Sequence, residues 1–245
     1  MYNFFTESPM AGGEFRITGA DFNHIKNVLR MKEGEVFLVS QGGKSHLCKL
    51  KCFDKDVIVA EVLEEDFQDT SLPIEIYLFQ GLPKADKLEL IIQKSVELGA
   101  TKIIPVEMSR SIVKIDSKKK DGKTSRWQAI AESAAKQSKR TLIPTVEAPL
   151  SFKRALEIAK ELDLFIIPYE SKNGMADTVA TLKRLKPQMK VGIMIGPEGG
   201  FDQKEIDEAL SAGGTTVSLG KRILRTETAA ITAISMLMLY AEACL

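Results

Sequence analysis

Between residues 35 and 63 the apolar positions gather in three short strand-like runs, 35–39, 45–52 and 57–63, broken by Gly42-Gly43 and Asp54-Lys55-Asp56. Short runs of this kind bounded by turn residues predict strands, and their spacing suits a small barrel. Ahead of them, Phe22, Ile25 and Leu29 recur at helical spacing behind Asp21. That pattern predicts a short helix capped by Asp21, with Asn23, Asn27 and Arg30 on another face. The acidic stretch from Glu64-Glu65-Asp66 to Pro73 reads as a linker.

After Pro73 the period switches back and forth between strand and helix. Strands are predicted at 74–80, 102–106, 164–168, 191–195 and 215–219. The helix predicted at 84–98 turns Leu88, Ile91 and Ile92 inward and ends on Gly99. A basic loop, Lys118-Lys119-Lys120, leads to Ser125, whose spacing to Gln128 predicts a capping box and a helix through residue 139. Ser151 opens a further helix, and Asp202 with Glu205 caps another. The last helix, 227–243, is apolar nearly all round, with Ala229, Ala230, Ile231, Ala233, Ile234, Met236, Leu237, Met238 and Leu239. It is too short to cross a bilayer, so it belongs in the core and against a partner subunit. Alternation of this kind predicts an α/β domain with a largely parallel sheet over 73–245, preceded by a small β-rich domain over 1–72.

Composition narrows the function classes. The 245 residues are 44% hydrophobic and 27% charged, which excludes wholesale disorder. Lys+Arg 34 against Asp+Glu 33 excludes a histone-like basic coat. The balance is uneven along the chain, however: residues 1–72 hold 8 basic and 12 acidic side chains, and residues 81–140 hold 14 and 7. The middle segment is therefore the basic one. Cys48, Cys52 and Cys244 include no C-x-x-C pair, which suggests neither a disulfide framework nor a zinc knuckle. His46, Cys48 and Cys52 lie close together, but three loosely spaced ligands without a fourth make a poor metal site, so no metal is expected. The N-terminus lacks a basic region followed by an apolar core, and no apolar stretch is long enough to span a membrane. A cytoplasmic protein is the expectation.

Open parallel sheets bind ligands beyond the carboxyl ends of their strands. Two such segments stand out. In Gly196-Pro197-Glu198-Gly199-Gly200, Pro197 stiffens the start, and the two closing glycines allow positive φ and close backbone approach to a flat ligand. The motif is neither G-x-G-x-x-G nor a P-loop. A tight strand-to-helix connection is the competing reading. The second segment runs from Leu219 to Thr228. Thr226 suits a helix N-cap and Glu227 suits the first turn. Lys221, Arg222 and Arg225 oppose the helix dipole there, which makes sense if a phosphate or carboxylate arrives.

Strand–Gly196-Pro-Glu-Gly-Gly200, followed by Leu219-Gly-Lys-Arg-Ile-Leu-Arg-Thr-Glu-Thr-Ala229, resembles the SPOUT methyltransferases. More closely, it resembles the ribosomal RNA small-subunit methyltransferase E family. The likeness extends over the whole chain, through His24-Ile-Lys-Asn-Val-Leu-Arg30, Gln93-Lys-Ser-Val-Glu-Leu-Gly99, Pro105 with Ser109-Arg110, Arg126-Trp127 and Ala134-Ala-Lys-Gln-Ser-Lys-Arg140. The resemblance implies an N-terminal PUA-like RNA-binding barrel and a SPOUT domain with a C-terminal trefoil knot. It also implies a homodimer that uses S-adenosylmethionine (SAM) to methylate N3 of a uridine in 16S ribosomal RNA, as naked RNA or in the assembled small subunit. Carried onto this chain, the cofactor residues are Ile167, Pro168, Tyr169, Glu170, Ile195, Gly196, Pro197, Glu198, Gly199, Gly200, Leu219, Gly220, Ile223, Leu224, Arg225 and Thr226.

Removing the N3 proton calls for a base or for stabilisation of the anion left behind. Arg225 takes the second role. Glu227 is either a base or a dipole-matched helix residue. Lys26, Arg30, Lys94, Arg110, Arg126, Lys136, Lys139 and Arg140 are the expected RNA contacts, through phosphates. Trp127 reads better as a core residue than as one that stacks on a base, and His24 better as a surface or barrel-packing residue than as a catalyst. Two alternatives stay open: ribose 2′-O methylation by the same superfamily, and a non-catalytic RNA-binding or ribosome-assembly protein.

Overall fold

Runs of consecutive buried residues build several of the first strands, as at 37–40 and 58–60. The computed structural model describes residues 1–113, 115–169 and 174–245, with backbone alone at 117–119. The chain divides into two units: Met1–Ser71 with Ala135–Ile143, and Leu72–Ala134 with Pro144–Leu245.

In the first unit the strands are β1 (Asn3–Phe5), β2 (Glu14–Ile17), β3 (Val36–Gln41), β4 (Lys44–Asp54) and β5 (Val57–Glu64). They hydrogen-bond in the order β1-β3-β4-β5-β2, parallel between β1 and β3 and antiparallel elsewhere. Phe4, Phe15, Phe37, Leu50 and Ile58 fill the core beside Ile25. The short strands β1 and β2 escaped the sequence reading. Helix α1 (Gly19–Asn23) continues into a single π-helical turn, His24–Val28. Asp21 does not cap it: the helix begins two residues earlier, behind Thr18, and the Asp21 carboxylate accepts from Lys136 Nζ at 2.7 Å. Asn3 Nδ2 donates to the Arg140 carbonyl at 3.0 Å and Thr70 Oγ1 to the Lys139 carbonyl at 3.0 Å. These bonds tie 135–143 to this unit, whereas the sequence pattern keeps 73–245 together.

The second unit contains β6 (Glu75–Gly81), α2 (Lys87–Glu97), β7 (Ala100–Glu107), α3 (Ser117–Gln137), β8 (Thr145–Val146), β9 (Leu150–Ser151), α4 (Phe152–Ala159) and β10 (Leu164–Pro168). It continues with α5 (Met175–Leu182), β11 (Lys190–Ile195), α6 (Gln203–Ser211), β12 (Thr215–Val217) and α7 (Thr226–Cys244). The sheet runs β12-β10-β11-β6-β7-β8, parallel throughout, with β9 beside β7. Phe79, Ile104, Phe165, Ile167 and Met194 form one core with Ala155, Leu156 and Ile206 of the flanking helices. Helix α2, with Leu88, Ile91 and Ile92 buried, packs against α7, in which Ala233, Ile234 and Leu237 are buried. Parallel strands align their carboxyl ends, so the segments after β10, β11 and β12 emerge side by side.

Two local expectations fail. α3 begins at Ser117, so Lys118, Lys119 and Lys120 belong to helix and not to a loop, and Ser125 sits in the helix interior. Ser125 Oγ bonds back to the Asp121 carbonyl at 3.0 Å, while Gln128 binds the Pro144 carbonyl at 3.0 Å and the Val146 N–H at 2.8 Å. Serine satisfies its hydroxyl equally well mid-helix, which is how a capping-box spacing arises without a helix end. The reading of Ser151 and of the Asp202–Glu205 box holds: Ser151 Oγ accepts from Arg154 N, and both reciprocal bonds of the box are present.

Candidate active site

β11 delivers its last residue, Ile195, directly into the Gly196–Gly200 turn. Gly200 adopts φ +69°, a region that disfavours side chains, and its N–H closes on the Pro197 carbonyl at 2.9 Å. The Glu198 carboxylate accepts from the Lys84 N–H at 3.1 and 3.3 Å and pairs with Lys87 Nζ at 3.1 Å. Lys87 also approaches Glu227 Oε2, at 3.4 Å. Burial opposes ionisation of Glu198, but bonds from its own N–H, from the Lys84 N–H and from Lys87 outweigh it, so its pKa lies below the usual carboxylate value. The hydrogen bond to Glu198 in turn raises the Lys87 pKa against its partial burial, with Glu227 adding to the rise. Arg110 covers the outer side of the turn: Nη1 donates to the Gly199 carbonyl at 3.2 Å and Nη2 lies 3.5 Å from Asp202.

The second loop, 218–225, is held at both ends. The Thr178 hydroxyl donates to the Ser218 carbonyl at 2.8 Å and accepts its N–H at 3.0 Å, tying the loop to α5. At the far end Thr226 Oγ1 donates to the Gly196 carbonyl at 2.7 Å and accepts from Gln80 Nε2 at 2.9 Å. Thr226 is therefore not the N-cap of α7. Arg225 occupies that position with an extended backbone and no side-chain cap bond, because the Thr226 hydroxyl is engaged between the two loops.

A cavity of ≈ 960 Å³ lies among these segments, within the size range of small-molecule sites. Pro168, Tyr169, Ile195, Gly196, Pro197, Glu198, Gly200, Leu219, Gly220, Ile223, Leu224, Arg225 and Thr226 line it, so the sequence-selected cofactor residues largely converge. Ile167 instead lies in the core with no exposure, and Gly199 sits against Arg110 away from the cavity wall. Glu170 lies outside the described residues. Glu227 is not on the wall; its side chain is paired with Lys87, which is. Lys87, Met175, Phe201 and Ser218 line the cavity and were missed. Lys87 was legible in principle, since it follows the β6 carboxyl end, where the strand-end rule directs attention.

The basic residues selected for RNA are spread over both units. In the first, exposed Lys26 places its ammonium 5.0 Å from the Phe22 ring centre and 5.7 Å from that of Phe53. Arg30 is exposed, Lys136 pairs with Asp21 and Lys139 is half-buried. Arg140 departs from the expectation of an exposed phosphate contact: it is 9% exposed, and burial lowers its pKa. In the second unit Lys94 pairs with Glu97 at 2.9 Å and Arg126 with Glu89 at 2.9 Å, while Arg110 lines the cavity. Trp127 is buried, and exposed His24 stands edge-on to Phe4. His46 is buried against Phe15, and among the described residues no cluster of His, Cys, Asp and Glu could hold a metal ion. No described helix is long and apolar enough to cross a membrane.

A model of an RNA methyltransferase domain matches residues 70–238, and one of an RNA methyltransferase PUA domain matches residues 17–65. A parallel α/β sheet with its loops around one cavity, following a PUA domain in sequence, thus defines an RNA methyltransferase. The chain is 40% identical over 232 residues to the ribosomal RNA small subunit methyltransferase E of Bacillus subtilis (strain 168), across 93% of this chain and 91% of the relative. A crystal structure of the ribosomal RNA small subunit methyltransferase E from Neisseria gonorrhoeae, bound to S-adenosyl methionine, matches with TM-score 0.80 and 34% identity over 96% of this chain and 95% of that one. A solved structure of a hypothetical protein matches with TM-score 0.92 and 38% identity over 98% of both chains. The chain belongs to the ribosomal RNA small subunit methyltransferase E family.

Proposed function

We propose that this protein is a SAM-dependent ribosomal RNA methyltransferase acting on N3 of a uridine in the small-subunit RNA. The convergence of the three strand-end segments on one cavity, with Arg225 on its wall at the start of α7, carries the reading. The cavity suits SAM: Tyr169, Leu219 and Leu224 offer apolar faces to an adenine, and Gly-containing loops offer backbone donors and acceptors to its edges. When bound, SAM supplies a methyl group activated by a sulfonium. The protein's part is alignment and charge control. Arg225 binds the substrate and stabilises the negative charge left on a uridine that has lost its N3 proton. Glu227 lies off the cavity wall, 3.4 Å from Lys87 Nζ, which favours its structural role. The exposed basic side chains Lys26 and Arg30 position RNA through phosphates.

The resemblance further implies a trefoil knot in the 73–245 domain, an N-terminal PUA-like barrel over 1–72 and a homodimer. Leu239, 60% exposed, and half-buried Met236 and Met238 leave an apolar side of α7 open, which supports self-association through this helix. Transfer of labelled methyl from SAM to small-subunit RNA tests the activity. Arg225→Ala is expected to lose about 100-fold or more in turnover while still binding SAM. Full activity of that variant would remove Arg225 from its role.

A further inference from the structure

The cavity wall does not explain why a glutamine lies fully buried behind it. Gln80 has no exposure and does not line the cavity. It stands at the carboxyl end of β6, level with Ile195 of β11 and Pro105 of β7. Strand alternation sets it opposite Phe79, on the sheet face that meets α7. Its Nε2 donates to the Gly81 carbonyl at 2.9 Å and to Thr226 Oγ1 at 2.9 Å, and Thr226 Oγ1 donates onward to the Gly196 carbonyl at 2.7 Å. The polarity has one solution. Both carbonyls only accept, so the threonine hydroxyl must give its proton to Gly196 and receive one from the amide nitrogen.

We propose that Gln80 is a positioning residue for the cofactor loops: through the Thr226 hydroxyl it fixes the distance between the Gly196–Gly200 turn and the start of α7, and so the shape of the SAM site. Neither member contacts the reacting atoms through this relay. Among the described residues the buried Oε1 of Gln80 has no hydrogen-bond partner, so the amide acts here through its donors. A side chain that merely filled space would not need them. The second tie at the same place is steric. A Cβ on Gly81 would lie 2.6 Å from Pro197 N, so the end of β6 and the turn are in direct backbone contact. The relay thus acts on a junction already in register, and hydrogen bonds in series strengthen one another.

This inference rests on the reading of these loops as the SAM site, and the test separates the two. SAM binding is measured by calorimetry, and amide exchange at 196–200 is measured without SAM, for the intact protein, Gln80→Met, Thr226→Val, Thr226→Ser and the Gln80→Met/Thr226→Val pair. Gln80→Met keeps the volume and removes the donors. Each of Gln80→Met and Thr226→Val is expected to weaken SAM binding about tenfold and to speed exchange in the turn. The double variant should be within about twofold of either single, because both break one chain of bonds. Thr226→Ser, which keeps the hydroxyl, should recover most of the affinity lost in Thr226→Val. Gln80→Met with unchanged affinity and exchange would overturn the proposal, as would losses that multiply in the double variant. If the intact protein failed to bind SAM, the site reading would fall, and the exchange data would still decide the relay. Should Gln80→Met fail to fold, the Thr226→Val and Thr226→Ser comparison decides it alone.

Discussion

Substituting Gly81 by alanine is the sharpest structural perturbation of the site that leaves every charged group in place. The new Cβ would meet Pro197 N at 2.6 Å, Pro197 Cδ at 2.7 Å and Met108 Sδ at 2.9 Å. The methionine sulfur can swing aside, but the proline is backbone of the turn and its ring fixes its φ. Restoring an ordinary 3.4 Å contact requires a relative movement of about 0.8 Å between β6 and the turn. Such overpacking costs about 1–3 kcal/mol. For a chain of this length it lowers the melting temperature by roughly 2–12 °C. Because the displaced segment is the cavity wall, SAM binding should fall about tenfold or more, a larger effect than the stability loss alone implies. Thermal unfolding followed by circular dichroism and calorimetric titration with SAM measure the two. A variant that melts within about 1 °C of the parent and binds SAM equally well would refute the argument, since the clash would then be absorbed elsewhere.

Gly122→Ala provides the opposite sign: among the described residues nothing beyond the backbone of α3 lies within 4 Å of its Cβ position, so relief of backbone entropy should stabilise the protein by about 0.5–1 kcal/mol in thermal or urea unfolding. Glu198 has a depressed pKa, so its contribution is fully present above the ordinary value of 4.5 and is lost as pH falls through its folded value. Protection of the 196–200 amides should therefore be flat near neutrality and fall in acid, and Glu198→Gln should remove part of that acid dependence; an identical profile in the variant would contradict the assignment. Burial pushes the Cys48 thiol up to about 12, whereas Cys244 is exposed, so at pH 8 a disulfide reagent should label Cys244 and leave Cys48 intact until unfolding, as mass spectrometry of the peptides can determine.

The parallel sheet was legible because its strands are short apolar runs and its helices carry clean inward faces, as in Leu88, Ile91 and Ile92. The loops around the cavity were legible for a different reason: a glycine-rich turn after a strand and three cations at a helix start each break a local rule, and such breaks concentrate at functional sites. Gln80 was not legible, and Lys87 was legible only as a residue that follows a strand end, not as a partner of the site. Lys87 gains its meaning from Glu198 and Glu227, and Gln80 from Thr226, 146 positions away in sequence, and periodicity carries no information about such pairings. Thr226 shows the same limit at close range. Its residue type fits an N-cap, but a tertiary bond to Gly196 claims the hydroxyl and Arg225 takes the cap position. The Ser125 box failed because a two-residue signature cannot distinguish a helix start from a helix interior. The basic middle segment was likewise only partly informative, since Arg140 is buried and Lys94 and Arg126 are paired.

The most direct test is the identity of the methylated nucleoside. Small ribosomal subunits and their free RNA, both lacking the modification, are incubated with the protein and SAM, digested, and resolved by mass spectrometry against synthetic standards. The account predicts N3-methyluridine, formed only with SAM and strongly reduced with Arg225→Ala. A 2′-O-methyl nucleoside, or no new methylation on either substrate, would contradict it.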